Sequence, residues 1–218
     1  MSDACETRPL HVLTLTPFYP HAGNEADGPF VAEPLVHLSK FNIASTVIAA
    51  KPISIPAVTP TERFPRPIWV RHLELPGKAA YGSWGWFMYA RLRRLVAGLH
   101  RRQPIDLIHA HAALPCGHAA ALLSQQLRIP FIITTHGVDV MSTGRETGLS
   151  RWWCNRVTRS TYRQAHQNIC VSELSRRKVL AGVGSPLRTT VVYNGDDTEL
   201  FDPANRSDGG ANLTILSV

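Results

Sequence analysis

The sequence predicts a doubly wound α/β domain, a mostly parallel sheet with helices on both faces. Short apolar runs alternate with helical patterns along nearly the whole chain, which is the order of βαβ units joined by right-handed crossovers. The runs are almost continuously apolar, as strands covered on both faces must be. The 218 residues, 44% hydrophobic and 18% charged, suffice for a sizeable core and carry no like-charge block that would argue for disorder.

Taken in order, LHVLTLT (10–16) reads as the first strand. In FVAEPLVHLSK (30–40), Phe30, Pro34/Leu35 and Leu38 fall at helical spacing, with Pro34 either in the first turn or kinking the helix. STVIAA (45–50) is the second strand, a Pro-rich loop follows, and IWVRHLEL (68–75) is the third. Residues 83–102 set Trp84, Met88, Leu92, Leu95 and Leu99 on one helical stripe. DLIHAH (106–111) is a strand, CGHAAALLSQQLR (116–128) a helix, FIITTH (131–136) a strand, and a helix covers about 150–165. NICVS (168–172), ELSRRKVLAG (173–182) and TTVVYN (189–194) continue as strand, helix, strand.

After Asn194 the texture changes. GDDTELFDPANRSDGGAN is polar and rich in Gly, Asp and Pro, as linkers are, and LTILSV then reads as a new strand. The expected division is a domain over 1–195, a linker over 196–211, and 212–218 as the first strand of a second, truncated domain. An added edge strand of the first sheet is the alternative.

No stretch reaches the roughly 18 apolar residues of a membrane span, and the N-terminus has no signal-peptide core, so a cytoplasmic location is expected. Cys5, Cys116, Cys154 and Cys170 are scattered without a CxxC pair, as reduced packing thiols would be. The formal charge of +7 suits phosphate-bearing ligands, anionic lipid or nucleic acid. No groove-reading motif accompanies it, and nucleic acid is not expected as a partner.

In open parallel sheets, ligands bind beyond the carboxyl ends of the strands, and the polar residues gather there. The loop PFYPHAGNEADGPF carries Gly23 and Gly28. Gly28 precedes Pro29, a favourable first helical residue, with Glu33 expected in the first turn. Backbone amides at such a glycine can approach an oxyanion; a plain turn explains it as well. The pattern is neither GxGxxG nor a P-loop, so no cofactor is indicated. His136 ends its strand, followed by Gly137, which admits a close ligand, and Asp139, which could orient the imidazole. A satisfied structural histidine is the competing reading. His111 and Asn194-Gly195 close two other strands. His109 and His111 share a strand face, but with Cys116 and His118 they match no zinc spacing, and no metal is expected.

Residues 83–102 join Trp84, Trp86, Phe87 and Tyr89 to Arg91, Arg93, Arg94, Arg101 and Arg102. Such a helix suits an anionic membrane surface or, equally, a solvated basic face over the sheet. Arg156, Arg159 and Arg163 form a second basic row open to the same two readings.

Three segments, DLIHAHAALPCGHAAALLSQQLRIPFIITTHGVDV, ICVSELSRRKVL and TTVVYNGDDTELFDP, together resemble the N-terminal domain of family-4 glycosyltransferases of the GT-B architecture. TPFYPHAGNEADGPFVAE is similar to a variant first loop of bacterial members. The resemblance implies two Rossmann-like domains facing across a cleft, the front one holding the acceptor and the rear one a nucleotide-sugar donor. It implies glycosyl transfer to a glycan or lipid-linked acceptor hydroxyl with retention, and no cofactor beyond the donor substrate. By position Gly28 matches the glycine whose amide approaches the donor diphosphate, and Gly137 falls on the donor side. His136 and Asp139 match the catalytic HGxD-type motif. His111 and Asn194 are expected on the acceptor side.

The chain departs from the family pattern in lacking the first-loop glycine pair and the glycine before strand two, and in carrying Asp196 where an apolar residue is commoner. The diphosphate-binding Arg and Lys and the Glu-x7-Glu motif belong to the second domain, so this chain alone is not expected to turn over. A non-catalytic sugar- or partner-binding module is the alternative. A nucleotide-sugar epimerase would need acid/base carboxylates, for which Glu33 and Asp139 are the placed candidates.

Overall fold

The computed structural model describes residues 8–74, 80–137, 148–184 and 186–195. Within them β1 (Leu10–Thr16) bonds to β2 (Ile43–Pro52) on one side and to β4 (Leu107–His111) on the other, both parallel. With β3 (Ile68–His72), β5 (Phe131–Thr135), β6 (Gln167–Cys170) and β7 (Thr189–Val191), the parallel sheet runs β3-β2-β1-β4-β5-β6-β7. The chain steps outward from β1 to β2 and β3, then returns to β4, so strand order reverses between β1 and β4. Right-handed crossovers therefore put α1 (Pro29–Leu38) on one face. They put α2 (Tyr81–Arg102), α3 (His118–Leu127), α4 (Gly148–Gln164) and α5 (Glu173–Val183) on the other.

The core follows that division. Leu13, Leu15, Ile108 and Ile133 pack with Met88, Leu92, Leu123 and Tyr162 on the four-helix side. Val31, Ala32 and Leu35 of α1 close over Val47 and Ala49. Below the sheet's amino edge, Asp106 accepts the backbone N–H of His11 at 2.8 Å and pairs with Arg8. The hydrogen bond from Arg8, reinforced by that N–H, holds its carboxyl down at about 2.

Element types fall where the sequence places them, and several boundaries move for local reasons. Pro34 is the sixth residue of α1, outside the first turn, and removes the N–H that would bond the carbonyl of Phe30. Glu33 likewise sits in the second turn, 3.6 Å from Arg63 Nη2, and the first turn holds no acid. The buried stripe of α2 is Gly82, Gly85, Met88, Leu92 and Val96, while Trp84 is only half-buried. Glycine carries no apolar signal, yet it permits close approach. A Cβ on Gly85 would lie 2.6 Å from His118 Cβ.

Helix α3 starts at His118 because a wider turn, Ala113–Gly117, precedes it. β7 ends at Val191; the N–H of Val192 still donates to the carbonyl of Cys170 at 3.0 Å, and Tyr193 to Gly195 lie beyond the strand. The expected linker (196–211) and strand (212–218) lie outside the described residues. Among the described residues no helix is long and apolar enough to cross a membrane, and Cys116, Cys154 and Cys170 are buried free thiols.

Gly28 caps α1 with φ 81°, and a Cβ there would fall 2.7 Å from the carbonyl carbon of Phe18. Left-handed backbone strain and the overlap together predict that Gly28→Ala costs about 2 kcal/mol or more. Urea unfolding measures this, and a loss well under 1 kcal/mol would show that the loop relaxes around the methyl.

Candidate functional site at the strand-order reversal

Alternation along β4 sends Ile108 and Ala110 into the four-helix core and turns His109 and His111 to the face that carries α1. β5 directs Thr134 the same way, and His136 follows directly beyond its last residue. His109 Nε2 lies 2.7 Å from Thr134 Oγ1, and His111 Nδ1 lies 3.0 Å from His136 Nε2. The His109 and His111 rings are 4.4 Å apart, and those of His111 and His136 stack at 5.2 Å with 13° between planes. Three imidazoles thus form a row from the sheet to its carboxyl edge.

Two aromatics frame the row. Phe30, the second residue of α1, packs 4.4 Å from the His136 ring, and Phe18, just past β1, faces it edge-on at 6.4 Å. A cavity of about 220 Å³ opens beside them, lined by all three histidines with Phe30, Tyr193 and Asn194. The carboxyl ends of β4, β5, β6 and β7 therefore meet at one place, with Phe18 from the loop after β1 beside them, the expected ligand position of a doubly wound sheet.

Burial decides the charge state. It pushes His136 down to about 4, and burial plus the nearby His136 pushes His109 to about 4. His111 falls well below the ordinary imidazole range, from burial and then from its two histidine neighbours. At neutral pH the row is uncharged: each ring has one N–H to donate and one nitrogen to accept. It can align a hydrogen bond to a ligand hydroxyl, and it resists taking up a full proton.

His111, His136 and Asn194 reach one cavity, as their positions at strand ends implied. His111 is buried and bonded to His136, while Asn194 is exposed at the rim. Gly137 has φ 109°, and a Cβ there would meet Ser175 Oγ only at 3.5 Å, so its backbone requires glycine and the space does not. Gly28 is the cap of α1, outside the cavity wall, and its N–H donates to the carbonyl of Ala26 at 3.1 Å. Asp139 lies outside the described residues.

His109, His111, Cys116 and His118, which match no zinc spacing, lie in different places. Cys116 is buried in the four-helix core, and His118 backs Gly85. Among the described residues no three His, Cys, Asp or Glu side chains could hold a metal ion. Phe18, Phe30 and Thr134 were not marked as site residues by the sequence. Only the period-two pairing of His109 with His111 gave a signal that a polar row existed.

In the unfolded chain these imidazoles take up protons near 6.5, whereas folded His109 and His136 do so near 4. Between those values the unfolded state binds more protons. Stability is therefore full above about pH 6.5 and falls as the pH drops toward 4. Proton NMR titration should find the His109 and His136 rings neutral at pH 5.5, with the urea midpoint already lower than at pH 7.5. Ordinary titration of both rings near 6.5 would contradict the assignment.

Comparison with known proteins identifies the family and the fold. A model of Glycosyltransferase Family 4 matches residues 31–200. A protein described as a candidate teichuronic acid biosynthesis glycosyltransferase, TuaC of Bacillus subtilis, is 29% identical over 144 residues, covering 60% of this chain and 37% of that one. Sucrose-phosphate synthase of Thermosynechococcus elongatus superposes with a TM-score of 0.59 at 14% identity, covering 87% of this chain and 49% of that one. Alr3699/HepE of Anabaena, solved with UDP and glucose, gives 0.56 at 18%, covering 88% and 47%. At such identities the two structures show a shared fold only. The chain spans under two fifths of TuaC and about half of each structure. A family match that runs from α1 beyond β7, across the strand ends that build the cavity, means that the chain belongs to glycosyltransferase family 4 as an N-terminal, Rossmann-like domain of the GT-B architecture.

Proposed function

We propose that this domain holds the acceptor in a retaining glycosyltransferase that moves a sugar from a nucleotide-sugar donor to a glycan or lipid-linked hydroxyl. The observation that carries the reading is the uncharged His136 at the cavity mouth, hydrogen-bonded to His111 at 3.0 Å. The neutral ring hydrogen-bonds the donor sugar and supports the charge that develops as the glycosidic bond breaks. Asp139 orients this group, and Gly137 lets the sugar approach closely. Gly28 sets the start of α1 opposite the donor diphosphate. Asn194 and the buried His111 shape the acceptor side.

The donor itself belongs to a second domain that follows residues 1–195, after a linker at 196–211 and opening with 212–218. UDP and glucose in the structure of Alr3699/HepE support a nucleotide-sugar donor of this type. The reaction as proposed draws on no metal or cofactor. The epimerase reading has little support, since Glu33 is the one carboxylate that lines the cavity among the described residues, and it faces Arg63.

The test is nucleotide release and sugar transfer, across a donor panel, by a protein that includes the donor domain. His136→Ala should lower kcat/KM about a hundredfold or more, since one donor to a developing charge is worth that much. The 218-residue chain by itself should show no turnover. Wild-type rates in the alanine variant would remove His136 from the mechanism, and transfer by this chain alone would refute the two-domain reading.

A further inference from the structure

Two arginine-rich helices lie away from the cavity, on the four-helix face. Helix α2 carries Arg91, Arg93, Arg94, Arg101 and Arg102; α4 carries Arg151, Arg156, Arg159 and Arg163; neither has an Asp or Glu. The helices touch where Trp153 Nε1 donates to Ser83 Oγ at 3.1 Å. Between α4 and the carboxyl end of α5 runs a groove of about 820 Å³, lined by Arg156, Arg159 and Arg163 and by no carboxylate.

This groove is held in shape by the protein. Arg159 Nε donates to the carbonyl of Gly182 and Arg163 Nη2 to that of Val183, each at 2.8 Å. Each guanidinium has five donors and uses one in those bonds, so the pair is braced with hydrogen-bonding capacity left over. At the other end Arg156 lies 5.7 Å over the ring of Trp152, which also lines the groove and is 56% exposed. One turn earlier Leu149 is 79% exposed.

Guanidinium groups in a row without carboxylates match phosphoryl oxygens, which they can grip in pairs. A small soluble phosphate would satisfy the arginines and leave Leu149 and Trp152 in water. A bilayer interface satisfies both sets, with indole at headgroup level, leucine at the acyl boundary and arginine on the phosphates. We propose that the α4 face docks on an anionic lipid surface, with the α4–α5 groove taking lipid phosphate groups. This inference goes beyond the sugar-transfer reading, and its test does not depend on catalysis.

The experiment is co-sedimentation of the chain with phosphatidylcholine vesicles, with and without phosphatidylglycerol, at low and high salt. Binding is expected only to the anionic vesicles and should fade at high salt, because exposed charges are screened. Arg156→Gln, which disturbs no cap of α5, should weaken partition about fivefold, the share of one arginine near an anionic surface. Trp152→Ser should weaken it as well, with the fold checked by circular dichroism.

Several outcomes would overturn the proposal. One is no sedimentation with anionic vesicles at low salt. Another is binding that survives both variants and is lost in Arg93→Gln/Arg94→Gln, which would move the contact to α2. A third is saturable binding of inorganic pyrophosphate or an oligonucleotide at the groove without vesicle binding, which would assign it to a soluble polyanion.

Discussion

Everything at the candidate site depends on β1 being hydrogen-bonded on both sides. A buried strand must place all its N–H and C=O groups in ladders, and β1 does so by pairing with β2 over residues 10–16 and with β4 over residues 12–15. Those two ladders join the outward-wound and the returning halves of the chain. Between them the crossovers change faces, leaving a crevice that helices cannot fill from either side. The bond from His11 N–H to Asp106 secures the same junction at its amino end. The aromatic from the β1 loop and the histidines from β4 and β5 converge at the other end for this topological reason.

The electrostatics are arranged by separation. A chain of net charge +7 would be expected to bring cations to any anionic ligand. Yet the cavity holds three uncharged imidazoles flanked by phenylalanines, and arginines crowd α2 and α4 on the far face. Desolvation produces the first feature, since rings packed 4.4 to 5.2 Å apart cannot all carry charge in a poorly solvated row. A neutral row provides directional hydrogen bonds without attracting phosphate by charge. The proposed division of labour follows, with the sugar met by neutral rings at the strand ends and lipid phosphate groups taken on the α4 face.

Close approach is the second economy of the fold. Gly82 and Gly85 let α2 lie against Trp153 and His118, and Gly28 lets α1 begin directly behind Phe18. Gly82 seats α2 against α4, and Gly85 seats it against the start of α3. The third brings Phe30 onto His136. Small residues thus set these distances, without contributing apolar area themselves.

The sequence by itself determined the element types, their order and the parallel sheet. These rest on local periodicity and on the right-handed crossover, which hold whatever the neighbours are. It also located His111, His136, Gly137 and Asn194 at strand ends, because an apolar run that stops on polar residues marks its own terminus. Tertiary structure alone decided that His109 and Thr134 are partners, that His111 faces His136, and that Phe18 and Phe30 close over them. These contacts join residues from different strands and helices, and their spacing along the chain carries no period. The stripe of α2 was legible in part: Met88 and Leu92 are buried and Leu95 and Leu99 pack against the core, but Gly82 and Gly85 were missed, since glycines that face a neighbour look like gaps in a hydrophobic pattern. The basic row of α4 was legible as a row. Its becoming a groove, braced by the carbonyls that end α5, required the packing of two helices that no sequence interval encodes.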